Sequence, residues 1–314
     1  MSRALTFPGQ GSQAVGMGLA LSQAFPVARE LFQEVDDALE QPFSRLMWQG
    51  PEADLTLTEN AQPALMAVSL AVMRVLETEG KLEWGRHVSL AAGHSLGEYS
   101  ALAAAGTFSI ADAARLLKAR GRAMQRAVPV GQGAMAALLG AEIDQAEEVS
   151  KEASQGSEVC VVANDNAPGQ VVISGHKAAL ERAAEIAKAK GIKRAMMLPV
   201  SAPFHSPLMA PAAREMQEAL EKVTVRPPRV PIISNVSVAP ENDPTRIKQL
   251  LVEQVTARVR WRETIAGLRD RGITSVVEIG AGKVLTTMAK RIDKDLPGFS
   301  VETPQDIEAF LKTL

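Results

Sequence analysis

At 314 residues, 46% hydrophobic and 22% charged, the chain suits one large domain or a domain with an inserted companion, and it is too apolar to stay disordered. Its 34 basic and 36 acidic residues carry no nucleic-acid footprint, and a single cysteine, Cys160 in the apolar run VCVV, excludes an internal disulfide and a cysteine-based zinc site and reads as a buried, inert thiol. No run is long and apolar enough for a membrane span, and the opening MSRALTFPGQGSQ lacks a signal-peptide core, so a cytoplasmic protein is expected.

Strand and helix patterns alternate along the chain, the mark of an α/β layer architecture. A strand at 3–7 is broken by Pro8-Gly9. A helical pattern over 17–40 is interrupted at Pro26, and a long apolar helix over 62–79 closes at Gly80. The apolar run HVSLAA at 87–92 predicts a buried strand; GHSLG at 93–97 follows, then the strong helix former EYSALAAA, closed by Gly106. A further helix over 110–128 starts from Ser109 or Asp112. The rhythm then changes. A strand at 133–139, a helix at 144–154, strands at 159–163 and 170–174 joined by a turn at 164–169, a helix at 177–190 and a strand at 194–200 give the order βαββαβ. That is the ferredoxin-like pattern, inserted between two α/β halves. After it come a helix over 207–223, a stiff Pro-rich connector at 226–231 and a strand at 232–236. Helices at 245–256 and 261–271 lead to a final buried strand at 274–279, which runs into Gly280-Ala281-Gly282-Lys283 and a helix. The expected units are 1–128 with 200–314, and 129–199.

Strand, G-x-S-x-G, helix is the arrangement of a nucleophile elbow; an ordinary βα turn with a small residue is the alternative. The glycines let the turn tighten until Ser95 Oγ stands exposed, and the N–H groups of Ser95 and Leu96 at the helix start are expected where an oxyanion would form. A serine nucleophile needs a base. Of the four histidines, His94 adjoins the serine, but neighbouring side chains on a strand end diverge, and His87 and His176 read as surface residues. His205, in the irregular SAPFHSP at 201–207 between a strand and a helix, is the best base, with helix capping as the competing role. No Asp or Glu stands out to orient it. A backbone carbonyl can hold the tautomer instead, and such a site suits transfer to a thiol.

Two glycine-rich segments are less specific. The backbone N–H groups of FPGQGSQ at 7–13, which contains Gln10, suit an anion or oxyanion, or form only a tight turn. In the other, Val277 and Val284 stand where a P-loop needs Gly and Ser/Thr, so 280–283 reads as a close-packed turn. Arg120 shares a helix face with Leu116, Leu117 and Met124, so its guanidinium either meets an anionic partner bidentately or snorkels to the surface.

FPGQGSQ, GHSLGEYSAL, RGRAMQ, the βαββαβ insert, SAPFHSPLM and EIGAGKVL stand in one order along essentially the whole chain. In that order they closely resemble the malonyl-CoA:acyl carrier protein transacylases, acyltransferases of fatty acid and polyketide synthesis. The resemblance implies an α/β-hydrolase-like large subdomain interrupted by a ferredoxin-like one, with the site in the cleft between them. It implies Ser95 as the acylated nucleophile, His205 as its base and Gln254 as the residue whose backbone carbonyl orients the histidine. Gln10 and Leu96 become the oxyanion-hole donors, and Arg120 the partner of the malonyl carboxylate. Phe204 becomes a specificity position: in related polyketide acyltransferases a bulky aromatic here goes with malonyl and serine with methylmalonyl, although many stand-alone bacterial members carry serine. The segment TARVR at 256–260 departs from the family's Asn-Pro turn.

The same resemblance implies no metal and no cofactor beyond the phosphopantetheine of the partner. Malonyl-CoA is the expected donor and acyl carrier protein the acceptor, with a monomeric chain and no nucleic-acid or membrane partner. Lys188, Lys190, Lys193 and Arg194 are candidates to dock an acidic carrier helix, or form a solvated charged face. A trans-acting polyketide acyltransferase is the alternative within this chemistry. A serine esterase or thioesterase, and a non-catalytic carrier-binding protein, are the alternatives outside it.

Overall fold

The computed structural model describes residues 2–200 and 202–314; Met1 and Ser201, the latter the first residue of SAPFHSPLM, lie outside the described residues. β1 (Arg3–Phe7) is buried along its whole length, as a central parallel strand covered on both faces must be. The helical pattern behind it splits into α1 (Leu19–Ala24) and α2 (Pro26–Leu39), because Pro26 ends one helix and fits the first turn of the next. Two short helices without a clear apolar period follow, α3 (Phe43–Gln49) and α4 (Glu52–Thr56). α5 (Thr58–Thr78) begins ahead of the predicted start and tolerates Pro63 inside it. β2 (Val88–Gly93) passes through the elbow into α6 (Leu96–Ala104). α7 (Ile110–Arg126) is capped by Ser109, whose Oγ accepts from Asp112 N at 3.0 Å.

The middle of the chain makes its own sheet. β3 (Gly133–Leu139), α8 (Ile143–Ala153), β4 (Cys160–Ala167), β5 (Gln170–His176), α9 (Lys177–Ala189) and β6 (Arg194–Met197) follow the expected βαββαβ order. The strands lie in the order β4-β5-β3-β6, every pair antiparallel. Leu138, Val149, Ile173 and Leu180 are among the buried side chains between this sheet and its two helices. The predicted turn at 164–169 is corrected: β4 runs on through Asn164, Asp165 and Asn166, and only Pro168-Gly169 turns. Those polar residues stay in a strand because the rest of the chain satisfies them. Asp165 N donates to Val259 O at 3.0 Å and Val259 N to Ala163 O at 2.8 Å. Arg262 Nε grips both Asp165 carboxylate oxygens at 3.0 Å.

Past a 3₁₀ turn at Pro207–Met209 come α10 (Ala210–Glu221), β7 (Ile232–Ile233), β8 (Pro240–Glu241), α11 (Pro244–Gln254) and α12 (Trp261–Ala266). β9 (Ser275–Ile279), α13 (Val284–Ile292), β10 (Gly298–Val301) and α14 (Pro304–Leu311) complete the chain. β9 is therefore not the last strand, as its apolar run suggested; the short edge strand β10, with Phe299 exposed, pairs beside it. β7 is shorter than expected because Asn235, which follows it, turns its backbone to a buried carboxylate. The large sheet has the order β10-β9-β1-β2-β7-β8, parallel except for β8. One face carries the main core with α2, α5 and α7, the other a smaller core around Trp261, Ile265 and Leu285. This covering on both faces leaves the carboxyl ends of β1, β2 and β7 as the place where loops converge. Among the described residues no helix is long and apolar enough to cross a membrane.

Candidate active site

Gly93 and Gly97 make the elbow possible. A Cβ on Gly93 would fall 1.9 Å from the Gly97 carbonyl, and one on Gly97 would fall 2.1 Å from Phe7 O, so neither position admits a side chain. Between them Ser95 is held at φ 54°, ψ −109°, a conformation non-glycine residues adopt only under constraint. Asn235 supplies part of it: Oδ1 accepts from Ser95 N at 2.8 Å and Nδ2 donates to Gly93 O at 2.7 Å. The Ser95 N–H is thus committed to Asn235. This corrects the expectation that it faces an oxyanion together with the Leu96 N–H. Leu96 N, at the first position of α6 where no intrahelical acceptor exists, is the elbow's own remaining donor.

Ser95 Oγ lies 2.8 Å from His205 Nε2. On the far side of the ring, Nδ1 is 2.9 Å from Gln254 O and 3.1 Å from Ala257 O. Carbonyls only accept, so Nδ1 carries the ring proton and Nε2 offers its lone pair to the serine. Ala257 O comes from the segment that departs from the family's Asn-Pro turn, and it serves the histidine nonetheless. Burial first, and then the charge of Arg120, press His205 down to about 3, so the imidazole is neutral over the ordinary pH range.

Arg120 is 1% exposed, which removes the snorkelling alternative. Nη1 donates to Gln62 Oε1 at 2.9 Å; Nη2 donates to Gln254 Oε1 at 2.9 Å and to Ser95 Oγ at 3.1 Å. None of these acceptors is a carboxylate. Since an arginine can only donate, Ser95 Oγ accepts from it and points its own proton at His205 Nε2. That is the starting arrangement for general-base attack.

A cavity of about 610 Å³ opens above these groups, with Gln10, Leu96 and Phe204 in its wall and Asn164 and Asn166 of β4, with Leu198 just past β6, facing them. Ser95, His205 and Arg120 line it too, while Gln254 stands behind, its backbone carbonyl accepting from His205 Nδ1. His94 also borders the cavity, but its Nε2 is 2.8 Å from Asn166 Oδ1, turned to the small sheet. His87 and His176 accept backbone N–H groups of Glu83 and Val159, away from the serine. In the turn at 280–283, Gly282 N donates to Glu302 Oε2 at 3.0 Å, and Leu285 N to Glu278, so carboxylates already hold the N–H groups a phosphate would need. Cys160 is buried, its thiol pushed up to about 11 by burial, as an inert thiol should be. Of the basic docking candidates, Lys190 is paired with Glu148 and Glu152, while Lys188, Lys193 and Arg194 are exposed. Among the described residues no cluster of metal-ligating side chains occurs.

Three residues of this network were missed by sequence reasoning: Gln62, Glu98 and Asn235. Asn235 had a usable signal, a polar residue near the end of the predicted strand at 232–236, at the loop end of the sheet. Gln62 and Glu98 had none, each opening an ordinary helical pattern.

The family model of the acyl transferase domain matches residues 5–303. The malonyl CoA-acyl carrier protein transacylase of Bacillus subtilis (strain 168) is 44% identical over 311 residues, 99% of this chain and 96% of its own. The crystal structure of an acyl-carrier-protein S-malonyltransferase from Bartonella henselae has a TM-score of 0.97 at 56% identity, covering 100% of this chain and 99% of that one. A solved complex of a type II PKS acyl-carrier protein with its malonyl-transacylase has 0.96 at 42% identity, covering 100% of both chains. Serine elbow, histidine and buried arginine thus sit in a chain whose likeness to these proteins is end to end: it belongs to the acyl transferase domain family.

Proposed function

We propose that the chain transfers a malonyl group from malonyl-CoA to the phosphopantetheine thiol of an acyl carrier protein through a malonyl ester on Ser95. One observation carries this reading: a single hydroxyl, Ser95 Oγ, lies between a neutral proton acceptor, His205, and a buried guanidinium, Arg120, which among the described residues hydrogen-bonds no carboxylate. The free carboxylate of a malonyl group suits that guanidinium as a bidentate, charge-assisted pair. Ser95 attacks the thioester carbon as its proton passes to Nε2; the CoA sulfur leaves with that proton, and Leu96 and Gln10 N–H groups hold the oxyanion between the two events. The carrier thiol then gives its proton to His205, attacks the ester, and restores the Ser95 hydroxyl. Gln254 O and Ala257 O hold the imidazole without a carboxylate behind it, which favours a thiol acceptor over water. Phe204, beside His205, narrows the wall against a methyl branch.

In this reading residues 1–128 and 200–314 form an α/β-hydrolase-like subdomain and 129–199 a ferredoxin-like one, which the parallel elbow sheet and the β4-β5-β3-β6 order support. The chain works as a cytoplasmic monomer with no metal or cofactor of its own, and an acidic carrier helix meets Lys188, Lys193 and Arg194. The names of the relatives support the substrate pair, and the solved carrier complex keeps a polyketide carrier as the alternative acceptor.

Incubation with malonyl-CoA alone, read by intact mass, should add one malonyl group to the wild type and none to Ser95→Ala. Arg120→Ala should slow malonyl acylation by about 2–5 kcal/mol of barrier, the scale of a broken buried charged pair, with acetyl acylation level or higher. An unmodified wild type under conditions of carrier transfer overturns the ester; equal losses for malonyl and acetyl overturn the role of Arg120.

A further inference from the structure

Glu98 sits in the first turn of α6, 3% exposed, and none of the hydrogen bonds it accepts comes from a cation. A buried carboxylate that no cation hydrogen-bonds is costly, and an acid at a helix start needs no more than proximity to the N-terminus to be explained. Glu98 does something else. Its Oε2 turns away from its own helix and accepts from two distant segments, Asn235 N at 3.1 Å and Gln254 Nε2 at 2.7 Å.

Both partners are clamps on the reacting groups. Asn235 binds Ser95 N and Gly93 O. The Gln254 amide donates to Ser95 O at 3.0 Å and accepts from Arg120 Nη2 at 2.9 Å, and its backbone carbonyl orients His205. An amide can be flipped; an ionised carboxylate can only accept. With Glu98 ionised, the flipped amide would set Gln254 Oε1 against a carboxylate and Nε2 against a guanidinium. Only the observed orientation is free of both clashes.

The geometry points to Glu98 as the positioning residue of this site: its carboxylate fixes the Gln254 side-chain amide so that Oε1 holds and aims the Arg120 guanidinium. The inference rests on the acyl-transfer reading given above for Ser95 and Arg120. Burial pushes Glu98 up to about 7 against the pull of Asn235, Gln254, Arg120 and Ser234, so the acceptor-only form that fixes the amide is the one that prevails above that value.

The test is the ratio of malonyl to acetyl acylation of Ser95 from the two CoA esters, in wild type, Glu98→Gln, Glu98→Asp, Gln254→Ala and the Glu98→Gln/Gln254→Ala double variant, with melting curves. Glutamine at 98 can be flipped like Gln254 itself, so Glu98→Gln should lower the ratio about tenfold, the scale of one charge-assisted hydrogen bond. Glu98→Asp, which keeps an acceptor-only group, should restore part of it. In the Gln254→Ala background, Glu98→Gln should change the ratio by less than about twofold, because the amide it positions is gone. A wild-type ratio in folded Glu98→Gln, or losses that multiply in the double variant, overturns the proposal. If the Glu98 variants do not fold, Gln254→Ala decides alone: it must lower the ratio by itself, and an unchanged ratio overturns the proposal. Failure of the acyl-transfer reading looks different, since wild type would then not be acylated at all.

Discussion

The elbow and the histidine loop place their reactive side chains on the same backbone footing, φ 54° at Ser95 and 55° at His205, and reach it by opposite routes. At the elbow the constraint is local. Gly93 and Gly97, two residues either side, let the chain pass within contact of itself and of Phe7, and Asn235 ties off the result. Around His205 no glycine lies within ten residues along the chain. Ser206 Oγ donates to Pro203 O at 2.7 Å, and the ring is held by carbonyls of residues 49 and 52 positions away. Strain with a local cause leaves its glycines in the sequence; strain with a distant cause leaves a loop histidine without any such mark of its geometry. The second kind also ties the site to the small sheet, since Ala257 lies two residues before Val259, which pairs with β4.

Removing the imidazole tests the distant half most severely. His205→Ala should slow acylation by ~10²–10⁴-fold, the usual worth of a positioned general base, with a native melting profile. Near-normal acylation in a folded variant would move the base elsewhere, with His94 next in line.

The local half breaks with one methyl group. Gly97→Ala sets a Cβ 2.1 Å from Phe7 O, so α6 or β1 must shift, and a displacement on the order of 1 Å costs on the order of 10²-fold in rate. Stopped-flow acylation with malonyl-CoA would read this, and an unimpaired Gly97→Ala would show that the turn is looser than its contacts.

A substitution well away from the serine separates the two halves. Asp165→Asn weakens the grip of Arg262 on β4 and, through Val259, the seat of Ala257 O. Acylation should fall about threefold, under 1 kcal/mol of barrier, because Gln254 O still holds the ring. No change in a variant with weakened thermal stability would mean that the small sheet is not coupled to the histidine.

The smallest expected effect is a flat pH profile. Burial and Arg120 hold His205 down at about 3 from an ordinary 6.5, so the neutral base persists as the pH falls through 6.5 and is lost only near the depressed value. Acylation per molar acetyl-CoA, which does not draw on the Arg120 guanidinium that Glu98 positions, should show no acid limb centred near 6.5. Such a limb would show that the loop does not keep the imidazole buried.

Much of the architecture is legible in local pattern. β1, β2 with its elbow, α7 with its Ser109 cap and the βαββαβ middle all follow from apolar period, glycine placement and capping chemistry, which act over a few residues. Ser95, His205 and the apolar face shared by Arg120 are legible for the same reason. The rest depended on partners far along the chain. Asn164, Asp165 and Asn166 look like a turn until Val259 and Arg262 satisfy them as a strand. Arg120 is undecided between surface and core until Gln62 and Gln254, 58 and 134 positions away, accept its protons. Glu98 reads as an ordinary first-turn acid until Asn235 and Gln254 close over it. Periodicity records which side of an element faces the core, a property of neighbours in the chain. Which polar groups are satisfied inside that core depends on segments brought together only by folding, and that is what tertiary structure alone decided.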